Sequence, residues 1–291
     1  MVQKEKKMSP RQEELAREIV SYIHRMDIQP GDTINESALA KRFGVSRTPV
    51  KTVLTRLAEA GVLEHHLQRG FFVKDAAKVN LNFLNDQEDL YLKLAQEVLE
   101  TANGVDFSVA ELATKFNASR ANMERVLTRA GAEGWLEKRT GYKWTTRIYI
   151  RSEEDYQNFY SFRLALEPAA VLEPSFEPNL TQLDNLMREQ ENLSQGKYKN
   201  LSAVELYDIN KELHESIISW SGNSFFMDAL VRANSMRRIL EYSKVKDVSR
   251  IEKIASQHIE MLNLAKTRQQ VRLSEVLRQH LYRSRAEKIH I

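Results

Sequence analysis

Three histidines and an asparagine in the last third of the chain have the types and spacing of a metal centre. Asn210 and His214 are four residues apart on one expected helix, so they share a face. His258 and His280 lie 22 residues apart on successive expected helices. Three imidazoles and one side-chain carbonyl that meet inside a helical bundle can hold a divalent ion. A metal held by three histidines can activate water, which is an enzymatic reading, but no motif places a general base beside this group. The other reading of each histidine is a hydrogen-bonded residue on an apolar stripe.

A second group lies near the N-terminus, in FGVSRTPVKTVLTRLAEAGVLE, Phe43 to Glu64. Ser46, Arg47, Thr48, Pro49 and Lys51 occupy the start of an expected helix, and Arg56 follows one to two turns later. A recognition helix puts its N-terminal side chains on base edges and its flanks on phosphates. Arginine suits a bidentate grip on guanine, and serine and threonine suit phosphate. Arg69-Gly70 falls at the tip of an expected hairpin, where an arginine can enter the minor groove. The competing reading is a solvated basic face on a protein-docking module. His65 and His66 lie in the same hairpin, within reach of phosphate. His24 sits on an amphipathic helix and His290 in the tail.

This stretch occurs twice. An offset of 73 places Leu39 to Glu64 on Leu112 to Glu137, with twelve identities in 26 positions, among them Phe43/Phe116, Ser46/Ser119, Arg47/Arg120, Leu54/Leu127 and Gly61/Gly134. Two copies imply a duplicated domain rather than a solenoid. The second copy keeps the fold-forming apolar residues and loses contact residues. Thr48, Pro49 and Lys51 become Ala121, Asn122 and Glu124. A carboxylate on a groove-facing side repels phosphate, so a spacer or dimer-contact role is expected for it.

The elements that must position these residues follow from caps and periodicity. Ser9-Pro10 starts a helix with the stripe Leu15, Ile19, Tyr22 and Ile23. Gln29 to Asp32 is a turn. Ser37 to Phe43 makes a short helix stopped at Gly44, Ser46 caps a third that ends at Gly61, and Val62 to Val73 reads as two strands joined at Gly70. Each copy is thus expected to hold three helices and a strand pair, a helix-turn-helix with a wing. In the second copy the helices run over Gln87 to Thr101, Val109 to Phe116 and Ser119 to Ala132, and a shorter wing over Trp135 to Tyr149. Trp135 and Trp144 are expected in its core. After Arg151, Ser152-Glu-Glu-Asp opens a helix and stripes recur to the end, about six helices broken near Pro174–Pro178, Gly196, Gly222-Asn223, Lys246-Asp247 and Thr267.

Bulk properties bound the classes. The chain has 291 residues, 42% of them hydrophobic, and no cysteine, which excludes disulfides and thiolate metal sites. No apolar run approaches the ~20 residues that span a bilayer, and Met1 to Lys7 lacks the apolar core of a signal peptide, so a cytoplasmic protein with no membrane partner is expected. Net charge is +3, unevenly spread. Residues 1–78 carry 14 Lys and Arg against 10 Asp and Glu, residues 79–150 carry 9 against 10, and residues 151–291 carry 20 of each. The positive excess sits with the first copy, as a polyanion partner requires.

Ile34 to Val73, with the upstream Pro30-Gly31, the Ser-Arg-Thr-Pro-Val run, the Gly61-Val62-Leu63 end and the Arg69-Gly70 tip, resembles the DNA-binding domain of GntR-family bacterial transcription regulators. Lys51 departs from it, standing where the family usually has arginine; it keeps the charge and loses the planar fork. Tyr160 to Ala170, Asn210 to Asn223, Ala255 to Ala265 and Val276 to Leu281 resemble the FCD ligand-binding domain found with such winged helices. The resemblance implies a divalent metal held by an Asp and three His, with a nearby arginine gripping a small carboxylate effector. His214, His258 and His280 fall on the three His places. Asn210 falls on the Asp place, giving a neutral, poorer ligand, and the three imidazoles still suit Zn²⁺ or Ni²⁺. Arg163 is implied as the effector anchor, its other reading being an ion pair with Glu167 one turn on.

The expectation is a mainly α chain of two tandem winged helix-turn-helix domains followed by an all-α FCD-type bundle. The expected boundaries are 1–75 for the first winged helix, 76–86 for a connector, 87–150 for the second winged helix and 151–291 for the effector domain. The expected function is a homodimeric regulator, a repressor on family grounds. It would bind double-stranded operator DNA through Ser46, Arg47, Thr48, Pro49, Lys51, Arg56, Arg69 and Gly70. A small effector, held by Arg163 and Asn210 and the metal, would control operator affinity. The rivals are a metal-dependent enzyme and a protein-docking scaffold.

Overall fold

The computed structural model describes residues 8–74, 82–140, 143–147, 150–244 and 250–287. The chain forms two compact units, residues 1–89 and 90–291. In the first, helix α1 (Pro10–Arg25) is followed by strand β1 (Thr33–Ile34), α2 (Glu36–Arg42), α3 (Arg47–Glu59), β2 (Leu63–His66) and β3 (Gly70–Val73). Ser9 and Gln12 close a capping box at the start of α1. Asn35 accepts from Ala38 N at the start of α2. Gly44, at φ 63°, makes the left-handed turn between α2 and α3 that a side chain would resist. Ile19, Val50, Val53, Leu54 and Phe71 fill the core, which is how α1, α3 and the sheet hold together.

The sheet has three strands in the order β1-β3-β2, all antiparallel, and not the expected pair. The extra strand has two residues, too few to show a period-two pattern in sequence. Gly70 is the first residue of β3 rather than the hairpin joint. The turn is Leu67 to Arg69, with Gln68 at φ 71° and Arg69 N donating to His66 O at 3.1 Å.

The next segment holds α4 (Asn82–Glu100), β4 (Asp106–Ser108), α5 (Val109–Lys115), α6 (Arg120–Ala132), β5 (Leu136–Lys138) and β6 (Lys143–Thr146). α4 starts five residues before the expected Gln87, so the far end of the expected 76–86 connector is helical; residues 75–81 lie outside the described residues, as do Ile148 and Tyr149 at the expected end of the second wing. The sheet order β4-β6-β5 again adds one strand to the expected pair. Its register repeats the first sheet at the same offset of 73. Thr33 faces Phe72 as Asp106 faces Thr145, and Leu63 faces Val73 as Leu136 faces Thr146.

One paired change inside this correspondence is legible as packing. Trp144 stands where the first sheet has Phe71, and Gly131 stands where α3 has Ala58. A Cβ at Gly131 would lie 2.5 Å from Trp144 Cζ3, so the larger ring occupies the space the smaller residue vacates. Gly131→Ala is therefore expected to destabilise the protein by about 1–3 kcal/mol despite alanine's better helix propensity. Gly131→Ala combined with Trp144→Phe should recover most of that loss. Thermal melts of the two variants give the comparison, and a neutral or stabilised Gly131→Ala would refute the close fit.

The remainder is helical among the described residues: α7 (Glu153–Ala170), α8 (Leu180–Ser194), a 3-10 turn at Lys197–Asn200, α9 (Ala203–Ser219), α10 (Ser224–Lys244), α11 (Ile251–Lys266) and α12 (Gln270–Glu287). The expected break at Lys246-Asp247 and the tail residue His290 lie outside the described residues. Ser152 and Asp155 form the capping box of α7. α11 packs along α8, α12 along α7 and α10 along α9. Leu164, Leu213, Ile217, Met261 and Leu277 are among the residues of their common core. No helix among the described residues is long and apolar enough to cross a membrane.

The bundle is not separate from the segment before it. Val204 and Tyr207 of α9 belong to the core that holds Tyr91, Leu127, Trp135 and Trp144. Glu133, just after α6, pairs with Arg129 at 3.1 Å and with Arg238 of α10 at 3.2 Å, and it accepts from the Tyr91 hydroxyl and from Trp135 Nε1. Arg238 also reaches Asp208 of α9 at 3.2 Å. This largely buried network and the shared core join residues 90–291 into one unit. The sequence pattern, read locally, puts a boundary near residue 150.

Candidate DNA-reading face and metal centre

The start of α3 presents its polar residues as a row. Ser46, Arg47, Thr48 and Lys51 are exposed, while Val50, Val53, Leu54 and Leu57 on the opposite face are buried. Among the described residues, Arg47 and Lys51 have no acidic partner, so both cations are available to an incoming polyanion. Arg56 differs from expectation. It is half-buried and pairs with Glu59 at 2.6 Å, because i and i+3 are neighbours on a helix. A phosphate would have to compete with that carboxylate.

Ser46 sits at the N-cap position but makes no capping hydrogen bond, contrary to the expected role. The reason is local chemistry. The acceptor side chain of an N-cap is normally satisfied by the N3 backbone N–H, and here N3 is Pro49, which has none. In the second segment N3 is Asn122, and its N–H donates to Ser119 Oγ at 3.2 Å. Replacing proline by asparagine thus turns an uncommitted hydroxyl into a structural one. Arg120 and Glu124 are exposed there, and Arg129, the counterpart of Arg56, lies 3.7 Å from the Tyr91 ring centroid and pairs inward with Glu133. On the first hairpin, Arg69 is exposed with its guanidinium 5.5 Å from the Phe72 ring. His65 stacks on Phe71, and His66 pairs with Glu64 at 3.3 Å. Leu67, 88% exposed at the turn, is an apolar tip that the sequence reading did not single out.

The three histidines do converge. Their ring centroids are 4.8 to 5.5 Å apart, and one ligand atom from each lies within 4.8 Å of the others. α9 supplies His214, α11 His258 and α12 His280, all buried. Each Nδ1 faces a side-chain oxygen. His214 Nδ1 meets Glu167 Oε2 at 2.7 Å, His258 Nδ1 meets Gln190 Oε1 at 2.9 Å, and His280 Nδ1 meets Gln257 Oε1 at 2.8 Å. Carboxylate and amide oxygens only accept, so each Nδ1 carries the proton and each Nε2 keeps its lone pair. The Nε2 atoms of His214 and His258 are buried and make no hydrogen bond. Burial holds His258 well below the usual imidazole range, with His214 and Arg163 adding to the effect. Burial also lowers His214, with Glu167 opposing it. Neutral, fixed imidazoles with lone pairs aimed together are the donor set of a divalent metal, and the residues fit one. Asn210 is half-buried one turn before His214 on the same helix.

Arg163 realises its local reading and keeps something over. Its Nε pairs with Glu167 Oε1, and its Nη2 is buried with no partner. Burial acts to raise Glu167, but Arg163 and His214 outweigh it and hold the carboxyl at about 2. Pro168 cannot donate to the Leu164 carbonyl, and Arg278 Nη1 of α12 reaches that oxygen at 3.5 Å. Glu167, Gln190 and Gln257 were not foreseen as partners of the histidines. Only Gln257, adjacent to His258, and Glu167, one turn from Arg163, left a trace in the sequence.

The fold and these two sites define a class: a winged-helix reading head on a chain whose helical bundle encloses a histidine cluster. Residues 11–73 match the family described as bacterial regulatory proteins, gntR family, and residues 158–283 match the FCD domain. The chain belongs to the gntR family, with a helix-turn-helix domain at its N-terminal end and an FCD domain at its C-terminal end; such proteins are transcriptional regulators and not enzymes. The Nta operon transcriptional regulator of Aminobacter aminovorans is 39% identical over 83 residues, 28% of this chain and 36% of that one. An uncharacterized HTH-type transcriptional regulator of Bacillus subtilis (strain 168), YdhC, is 42% identical over 45 residues, 16% and 20% of the two chains. The matches thus span about a third and a fifth of these relatives' lengths. The solved structure of Lar, which controls expression of the Listeria monocytogenes agr system, is 14% identical with a TM-score of 0.52, covering 69% of this chain and 94% of that one. That is a likeness of fold.

Proposed function

We propose that this regulator binds double-stranded operator DNA as a homodimer and acts as a repressor in the cytoplasm, its operator affinity set by a small carboxylate effector held in the bundle. The observation that carries the DNA reading is the exposed row of Ser46, Arg47, Thr48 and Lys51, with a hydroxyl freed by Pro49 and cations lacking acidic partners among the described residues. Two such heads related by a two-fold axis would read a palindrome with half-sites about one helical turn apart. Arg69 and Gly70 would follow the minor groove, and Arg56 would stay a secondary contact. The test is binding to fragments of its own promoter region at increasing salt. Affinity should fall linearly on log axes; absence of binding at low salt would remove this reading and favour the docking scaffold.

His214, His258 and His280 would hold the metal, Zn²⁺ or Ni²⁺, with Asn210 offering a side-chain carbonyl. When bound, the ion would supply positive charge for a carboxylate oxygen. Arg163 Nη2, buried and unpartnered, would take the second oxygen. His258→Ala should abolish stoichiometric metal uptake, measured by elemental analysis after dialysis, and leave effector-free DNA binding unchanged. Retained uptake would show that the ion sits elsewhere. The segment 87–150 is read as a second winged helix that arose by duplication, supported by its identical sheet register and by the twelve shared residues. With Ser119 committed and Glu124 facing outward, it serves as a spacer rather than a reader.

A further inference from the structure

The bundle contains a second buried arginine that the site described above does not use. Arg237 of α10 is 1% exposed, as is Arg163. The two guanidinium carbons lie 5.5 and 5.7 Å from the centroid of one ring, Phe159, so they are within about 11 Å of each other. Arg237 also lies 5.3 Å from the Tyr207 ring centroid. Tyr207, Asn210 and His214 are spaced i, i+3 and i+7 on α9 and form one stripe, about 10 Å from end to end at 1.5 Å per residue. One end of that stripe joins the histidine cluster and the other meets Arg237. The charge of Arg237 is felt at His214, where it adds to burial in lowering the imidazole.

Burying a permanently charged guanidinium costs several kcal/mol unless an anion and aromatic faces attend it. Arg163 has Glu167. Between the two arginines stands Asn210, a neutral amide that would not repel an anion passing over it.

Resting on the effector reading given above, we propose that the effector is a dianion, a short-chain dicarboxylate, with one carboxylate at Arg163 and the histidine cluster and the other at Arg237. The second arginine makes the site selective for diacids over monoacids of equal length. Tyr207 and Asn210 line the path between the two anchors.

The test is calorimetric titration of the full-length protein, with zinc added, against two matched series: succinate, glutarate and adipate, and butyrate, valerate and hexanoate. At least one diacid should bind about tenfold or more tighter than its monoacid partner, as a charge-assisted hydrogen-bonded anchor implies. Arg237→Gln should erase that preference, leaving the monoacid affinity unchanged, and Arg237→Lys should retain part of it. Arg163→Gln should weaken both series. Equal affinity for both series in the unmodified protein overturns the proposal, with no dependence on whether a variant folds, and so does a preference that survives in folded Arg237→Gln. Monoacid binding that is lost in Arg163→Gln, with no diacid preference, would leave the effector reading standing and remove only the second anchor. If no acid of either series binds, the proposal and the carboxylate-effector reading both fall.

Discussion

Arg47→Ala is expected to bring affinity for a selected operator down toward that for unrelated duplex of the same length. The side chain stands exposed at the first helical position of α3, beside the uncommitted Ser46 hydroxyl. A bidentate arginine–guanine contact contributes about 1–3 kcal/mol of discrimination, roughly ten- to a hundredfold per half-site. Folding should be unaffected, because the residue is on the solvent face opposite Val50 and Leu54. Two companions make the result specific. Lys51→Ala should weaken binding to all sequences alike and lower the salt slope by about one. Arg120→Ala, the same substitution in the second segment, should change little. Footprints that are identical for Arg47→Ala and the unmodified protein would take the base-reading role away from this arginine.

The second large effect concerns stability. Glu167 joins Arg163 and His214 in a site with no exposure, and both partners depend on its two oxygens. Glu167→Ala would leave Arg163 as a buried cation without its counter-ion, at a cost of about 3–5 kcal/mol. For a unit of this size each kcal/mol moves the midpoint by about 2–4 °C, so the melt should fall by roughly 10 °C. Removing the cation as well, in Arg163→Met with Glu167→Leu, should recover much of the loss, since an apolar pair of similar volume avoids the desolvation cost. Calorimetry of the single and double variants decides it. A single variant melting within a degree or two of the unmodified protein would mean that water or another group replaces the carboxylate. The same variant should also loosen His214, whose Nδ1–H would lose its acceptor, so metal uptake should fall along with stability.

Both effects start from residues picked out by local pattern, yet the two sites were legible to different depths. The start of α3 could be read almost whole. Cap position, Pro49, the apolar stripe and the basic residues lie within about four turns of one helix, and their faces follow from 3.6 residues per turn. What was misread there was equally local: Ser46 does not cap because Pro49 has no N–H, and Arg56 turns to Glu59. The two- and three-residue strands β1 and β4 escaped because so short a run has no period. The histidine cluster was legible as a set, since 210 and 214 share a face and 258 and 280 sit on adjoining helices. Its surroundings were not.

The sequence by itself determined the order of helices, the offset of 73 that relates the two helix–sheet segments, and the identity of the polar residues along α3, because each depends on neighbours within a few turns or on direct comparison of two stretches. Only the tertiary structure decided that Glu167, Gln190 and Gln257 orient the imidazoles, that Arg237 shares a ring with Arg163, and that Glu133 and Arg238 tie the second segment to the bundle. Those partners are 47, 68 and 23 residues from the histidines they hold. No periodicity spans such separations; they meet because the apolar faces of six helices can be buried together in one arrangement, and the polar residues on those helices are carried to where that packing leaves them.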